Sequence, residues 1–300
     1  MRFEGIIVSN PTRRLIVTHH APDLDAIGST WLLKKFASQE YADARIAFVN
    51  PGDTITLNEA EEYGAQLHEV THVDTGFGEF DHHQPDRAKQ HICASSLVYD
   101  YLCGMHPELK DDQALQVLIE YIIQIDHFEE IFWPEAKEHR TLFMIHELIK
   151  GHELVDPHND ESQLYFGFDC LNNVYAIATQ HLKAEEIIKD KGQKFSIKYG
   201  DCLALNTSND DTIKLAQKQG YVLVLRKDPK LGAIRIKVRP DAEFDLTPVY
   251  EQIKTLDQTG TWFYHGSGKM LLNGSTKDRN QKPSPLSLNQ VVEIIKAVYV

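Results

Sequence analysis

Residues 14–18, Arg-Leu-Ile-Val-Thr, form a strand-like apolar run that stops at His19-His20 and leads past Pro22 into a helical stretch over residues 26–36. A buried strand feeding a helix through a short polar loop predicts a parallel sheet, because parallel neighbours need a crossover between them. The pattern recurs. Residues 44–49 read as a second strand, stopped by Pro51-Gly52-Asp53, and residues 69–73 as a third, stopped by Gly76. In residues 112–125, Leu115, Leu118, Ile119, Ile122 and Ile123 fall at helical spacing. The predicted class is α/β, with a parallel-sheet domain over residues 1–150.

The second half changes character. Residues 151–164 contain the polar stretch Asp156-Pro157-His158-Asn159-Asp160-Glu161 and are expected to be a linker. Beyond it, residues 165–300 are expected to form a smaller α/β domain. Its expected helices cover 173–191, 210–218, 247–253 and 287–297. Its expected strands cover 201–205, 221–226, 232–238 and 262–265.

No apolar run approaches the length of a membrane span, and Met1-Arg2-Phe3-Glu4-Gly5 does not open a signal peptide. Cys93, Cys103, Cys170 and Cys202 are far apart and form no CxxC pair, so reduced thiols in a cytoplasmic protein are expected. The Asn-x-Ser matches at Asn206 and Asn273 then carry no weight. The formal net charge of −13 argues against wrapping a long duplex, which calls for a basic balance. A small or end-bound polyanion fits better, because bound cations reverse local charge. The oligomeric state is left open between monomer and homodimer.

Several acids and histidines stand where these elements end. His19, Asp23 and Asp25 follow the first strand and precede its helix, and Asp74 follows the third strand. Ligands of open parallel sheets bind outside the carboxyl ends of the strands. Taken singly, Asp23 reads as an N-cap and Asp74 as a turn residue. Asp81-His82-His83 places an acid beside two imidazoles, the kind of partner metal-bound histidines use. Asp126 ends a long apolar helix, where the helix dipole disfavours a carboxylate. Together Asp23, Asp25, Asp74 and Asp126 carry four negative charges, which two divalent cations would balance. An oxygen-rich set with imidazoles and no thiolate suits Mn²⁺, followed by Mg²⁺, Co²⁺ or Fe²⁺. A competing motif, His68-Glu69-Val70-Thr71-His72, matches HExxH. It sits in strand-like sequence, where positions four apart are roughly 13 Å from one another, too far to share a zinc ion.

The order HxxxDxD, Asp, Asp-His-His, Asp over about the first 130 residues resembles the DHH phosphoesterase superfamily. The resemblance implies that His19, Asp23 and Asp74 hold one metal. It implies that Asp25, Asp74, His82 and Asp126 hold a second, with Asp74 bridging. His83 would then act on the scissile phosphate, and Asp81 would orient the histidines. His20 receives no role.

In the second half, His265-Gly266-Ser267-Gly268-Lys269 and Asn273-Gly274-Ser275 form a glycine-rich loop suited either to an anion nest or to a hairpin. The loop resembles the GGGHxxAxG motif of DHH exonucleases and nano-RNases. Gly266, Gly268 and Gly274 match in spacing, Lys269 stands at the histidine, Ser267 replaces a glycine and Leu272 replaces the alanine. Asp81-His82-His83-Gln84, residues 94–99 and residues 263–268 resemble the MYG type of DHH-like exonucleases. The resemblances imply that His265, Gly266, Ser267, Gly268, Lys269, Asn273 and Gly274 bind substrate. Arg235, Lys237 and Arg239 alternate on one strand and share a face, either a phosphate-contacting surface or a solvated edge.

The expected function is a manganese-dependent phosphoesterase cleaving phosphodiester bonds, as a 3′–5′ exonuclease or a short-oligonucleotide nuclease. The alternatives are a pyrophosphatase or exopolyphosphatase, a hydrolase of cyclic dinucleotides or 3′-phosphoadenosine phosphate, and a non-catalytic nucleotide sensor.

Overall fold

The computed structural model describes residues 14–274 and 280–300. Ser275 of the glycine-rich loop and the Met1-Gly5 stretch lie outside the described residues. The chain divides into two compact units, Met1–Ala178 and Thr179–Val300.

In the first unit, strands β1 (Leu15–His19), β2 (Arg45–Val49) and β3 (Val70–His72) form a parallel sheet in the order β2-β1-β3. Helices α1 (Leu24–Phe36), α2 (Ser38–Tyr41), α3 (Leu57–Glu62), α4 (Ala94–Met105), α5 (Gln113–Asp126) and α6 (Ile145–Val155) follow, then the start of α7 (Asp160–Lys191). Side chains of a strand alternate between faces, and β1 shows the consequence. Ile16 joins the large core with Ile27, Leu32, Leu102 and Leu115, while Leu15 and Val17 pack on the opposite face with Ala47, Ile55 and Ala60. Residues Leu24 to Leu33 of α1 are buried, so this helix has no polar side to present. Gly28 explains how closely it packs. A Cβ there would lie 2.5 Å from Ser95 Oγ and 2.9 Å from Ile122 Cδ1, on α4 and α5 respectively.

The second unit is built on a six-stranded sheet. Its strands are β4 (Gln193–Ile197), β5 (Gly200–Asn206), β6 (Leu223–Lys227), β7 (Ile234–Val238), β8 (Trp262–Tyr264) and β9 (Met270–Asn273), in the order β4-β5-β6-β7-β9-β8. β5 and β6 are parallel, joined through α8 (Asp211–Lys218), and the other neighbours are antiparallel. One face packs Leu223, Leu225, Ile234 and Ile236 against α9 (Thr247–Leu256) and α10 (Leu288–Val298). The other buries Leu203, Leu205 and Val224 against Ala184 and Ile188 of α7 and Ile213 and Ala216 of α8.

The structure corrects the reading of residues 151–164 as a linker. α6 continues to Val155 and α7 starts at Asp160. Asn159 accepts the Ser162 N–H at 3.1 Å, so the polar residues that suggested a linker cap a helix. The stretch expected as a helix over 173–191 is the second half of this 32-residue helix, and the two units meet in sequence within it. No helix of the described residues is long and apolar enough to cross a membrane.

Candidate metal centre

β1 lies centrally in its sheet, with its chain successor β2 on one side and β3 on the other. That makes the gap between β1 and β3 the switch point of the sheet, where a crevice opens at the strand ends. His19 is the last residue of β1, and Asp74 follows β3 by two residues. Val73 donates its N–H to Val17 O at 2.9 Å and Asp74 donates to Phe80 O at 2.9 Å, so the backbone is fixed on both sides of the turn. Asp74 has φ +54°, a left-handed conformation uncommon outside glycine, asparagine and aspartate. It is 4% exposed.

The two oxygens of Asp74 face different partners. Oδ2 lies 3.3 Å from His19 Nε2, and Oδ1 lies 3.5 Å from His82 Nε2. His82 Nε2 is also 3.6 Å from Asp126 Oδ2 and 3.8 Å from Asp25 Oδ2. On the other side, His19 Nε2 is 4.0 Å from Asp23 Oδ1. The side chains form two sets with ligand atoms close enough to share an ion, His19-Asp23-Asp74 and Asp25-His82-Asp126. Asp74, His82 and His83 make a third such grouping.

The residues fit divalent cations on an observation independent of their type. Asp74 Oδ1 and His82 Nε2 are buried without a hydrogen-bond partner. Buried polar atoms left unpaired are costly, and a cation between them would satisfy both. His19 is prepared in the same sense. Its Nδ1–H donates to His20 O at 2.8 Å, which leaves Nε2 as the electron-pair donor.

Proton affinities describe the same crowding. Burial works against a charged imidazole at His19, but the hydrogen bond to Asp74 and the charges of Asp23 and Asp74 outweigh it, raising its pKa to about 9. His82 is raised to about 9 against burial, by Asp74, Asp126 and Asp25. Burial and the charges of neighbouring carboxylates push Asp25 up to about 7 and Asp126 up to about 8. Burial would also raise Asp74, but the imidazoles of His19 and His82 hold its carboxyl below the usual range. Protons thus stand where cations would stand, as expected of four carboxylates in one crevice.

Asp25 does a second job that its sequence position does not announce. Its oxygens accept the N–H groups of Ala94 at 2.6 Å and Ser95 at 2.7 Å, capping the first turn of α4. Asp23 caps α1, accepting from Asp25 N at 2.9 Å and Ala26 N at 3.1 Å. The N-cap and ligand readings of Asp23 are therefore compatible.

Asp81 is fully buried and accepts the Nδ1–H of His83 at 2.8 Å and the N–H of Phe77 at 2.7 Å. It orients His83 alone among the two histidines, since the partners of His82 are Asp25, Asp74 and Asp126. The His83 side chain is 56% exposed, so its Nε2 can reach a bound molecule. His20, without a role by sequence, pairs with Asp160 at 2.6 Å, and Asp160 also accepts the Ala21 N–H at 2.7 Å. Gln163 donates to Pro22 O at 3.0 Å. The first turn of α7 therefore holds the loop over residues 19–25. This role was hidden because the residues lie about 140 positions away.

The HExxH match is not a metal site. Residues Leu67–Glu69 form one turn of 3₁₀ helix and His72 lies on β3, where its Nε2 accepts the Ile55 N–H at 3.1 Å.

The glycine-rich loop of the second unit is a β8–β9 hairpin. His265, Gly266 and Ser267 are exposed at its tip, with His265 Nδ1 and Ser267 Oγ 2.8 Å apart. Three residues expected to bind substrate have structural work. Lys269 Nζ donates to Ala242 O at 2.5 Å and Phe244 O at 2.6 Å. Asn273, 1% exposed, donates to Thr261 O and Lys282 O and accepts from Ser284 N. Gly274 has φ +88°, and a Cβ there would lie 2.3 Å from Ala233 Cβ, so it permits a close approach of chains. Gly268 lies buried below the tip, where its carbonyl accepts the Leu246 N–H at 2.8 Å.

Of the cationic face, Arg239 pairs with Asp241 at 2.6 Å and Arg235 pairs with Asp210. Buried Arg226, opposite Arg235 in the sheet, pairs with Asp210 at 2.8 Å and leaves its Nε without a partner. Burial lowers the pKa of Lys237, and the charges of Arg235 and Arg226 lower it further.

No protein-family model matches the chain, and no curated protein matches it. Among solved structures it is similar to a DHH-domain protein described as a member of the s1p family of ribosomal proteins. The identity is 12% and the TM-score 0.32, over 96% of this chain and 88% of that one. It is also similar to RecJ of Thermus thermophilus in complex with Mn²⁺, at 12% identity and TM-score 0.32, over 95% of this chain and 52% of that one. The Mg²⁺ complex of the same RecJ gives 10% identity and TM-score 0.31, over 95% of this chain and 49% of that one. Similarity at this level carries no argument of its own, and the case for function rests on the side chains of the first unit.

Proposed function

We propose that the chain is a manganese-dependent phosphoesterase of the DHH type that hydrolyses phosphodiester bonds of short oligonucleotides, as a 3′–5′ exonuclease or short-oligonucleotide nuclease. The observation that carries this reading is Asp74. Its carboxylate is buried, divided between two imidazoles and short of a hydrogen-bond partner at Oδ1. His19, Asp23 and Asp74 would hold one ion, and Asp25, Asp74, His82 and Asp126 the other. Divalent cations bound there would supply Lewis acidity toward phosphoryl oxygens and lower the pKa of an attacking water.

The chain's own residues do the rest. The β3 turn fixes the direction of Asp74, and Asp23 and Asp25 are fixed by the helix N-termini they cap. His83, held at Nδ1 by Asp81, presents Nε2 to the phosphate, where it can donate a hydrogen bond or protonate the leaving oxygen. In the second unit, Lys237, on the same face of β7 as Arg235, offers a cation suited to a phosphate backbone. The overall charge of −13 favours a short polyanion over a long duplex.

Incubation of the purified protein with Mn²⁺ and end-labelled RNA and DNA of a few nucleotides tests this reading. Stepwise release of mononucleotides from the 3′ end is expected. Intact oligonucleotides alongside rapid phosphate release from pyrophosphate would replace it with the phosphoanhydride alternative.

A further inference from the structure

A cavity of about 580 Å³ opens from the metal centre and is lined entirely by the first unit. Asp23, Asp25, His82, His83 and Asp126 are among its lining residues. The lining also includes a segment that takes no part in the proposed ion sites, with Phe128, Glu130, His146 and Lys150.

Phe128 is the unusual member. It follows α5 by two residues and has φ +56° and ψ +28°, a left-handed conformation that bulky side chains avoid. Its ring is 70% exposed although it lines the cavity, so packing does not account for its placement. Glu130 also lines the cavity, and its Oε2 is buried without a hydrogen-bond partner. His146 is unavailable as a free donor at Nδ1, which is 2.7 Å from the Tyr121 hydroxyl. The cavity therefore combines a flat apolar face and an acceptor that lacks a donor with a cluster suited to phosphate. A nucleobase matches the first two, through its π-face and its N–H groups.

We infer that Phe128 and Glu130 form a base-recognition pocket, in which Phe128 stacks on the terminal base of the substrate and Glu130 accepts a hydrogen bond from the exocyclic amino group of that base. This inference rests on the phosphoesterase reading for the position of the phosphate. The pocket makes the substrate a nucleotide end rather than pyrophosphate or polyphosphate, which carry no base.

Calorimetric titration of the 300-residue protein with nucleoside 5′-monophosphates and with ribose 5-phosphate tests the pocket without turnover. The nucleotides carrying adenine, guanine or cytosine are expected to bind about tenfold or more tightly than the sugar phosphate, the scale of one base–aromatic stack. Phe128→Ala should remove that advantage and Phe128→Tyr should restore it. Glu130→Gln should reduce it for those three bases. Phe128→Gly, which relieves the left-handed backbone, should behave as Phe128→Ala does, so that loss of the ring is separated from a folding defect. Equal binding of nucleotide and sugar phosphate, no binding of either, or an advantage that survives Phe128→Ala overturns the inference. A base advantage in a protein that hydrolyses no phosphodiester leaves the pocket standing and removes the phosphoesterase reading alone.

Discussion

The metal centre of the first unit and the glycine-rich hairpin of the other unit are alike as sequence, each a cluster of polar residues and turns beside strands. Their hydrogen bonds separate them. At the hairpin, Lys269 and Asn273 spend their donors and acceptors on backbone groups of their own unit. At the metal centre, Asp74 Oδ1 and His82 Nε2 are buried without a hydrogen-bond partner, and four carboxylates crowd into one crevice. A satisfied polar cluster holds a fold together, whereas an unsatisfied one is arranged for something it has yet to bind.

The largest effect that sharpens this contrast is expected at Asp74. Asp74→Asn keeps a side chain that tolerates φ +54° but removes the charge that both proposed ion sites would share. Hydrolysis should fall by more than about 100-fold, beyond the range for loss of an outer partner of a metal ligand. Circular dichroism should show the fold intact, and steady-state rates with Mn²⁺ check the loss. His83→Ala is expected to lower kcat by about 100-fold or more, the contribution of a general acid, while Mn²⁺ binding measured by calorimetry stays near wild type.

Metal binding should also displace protons, with a definite sign. His19 and His82, raised to about 9, and Asp126, raised to about 8, hold protons at pH 7 in the ion-free protein. Cations compete for the same atoms, so Mn²⁺ affinity should rise with pH from 6 toward 9 and proton release should accompany binding. Titrations at pH 7 in buffers of different ionisation enthalpy measure that release. A proton count of zero contradicts the assigned ligand set.

The hairpin should respond in the opposite way. Asn273→Ala removes the donor to Thr261 O, the acceptor of the Ser284 N–H and one of two donors to Lys282 O, and is expected to cost about 1–3 kcal/mol of stability. Thermal unfolding should register that cost, while KM for a short oligonucleotide stays close to wild type. An unchanged melting temperature with a raised KM would return Asn273 to the substrate site. The smallest effect is expected at His20. Its side chain is 53% exposed, so losing its pair with Asp160 in His20→Ala should cost less than about 1 kcal/mol in chemical denaturation.

The first unit was legible because its chemistry sits at strand ends. β1, β2 and β3 announce themselves as apolar runs, and His19 and Asp74 stand at or just beyond the ends of β1 and β3. Asp25, His82 and Asp126 could be grouped by type and charge, but the helix-capping role of Asp25 depends on Ala94 and Ser95, some 70 residues away. Residues 151–164 were misread because Asn159 and Asp160 favour a helix start as strongly as a loop. At the hairpin, glycine spacing gave the turn correctly but could not show where Lys269 and Asn273 point, since their partners are distant in sequence.

Titration of metal-free protein with Mn²⁺, followed by calorimetry and by metal analysis after gel filtration, tests whether Asp74 joins two ion sites. Two ions per wild-type chain and no more than one per Asp74→Asn chain are expected. Two ions retained by Asp74→Asn, or fewer than two bound by the wild type, would contradict that role of Asp74.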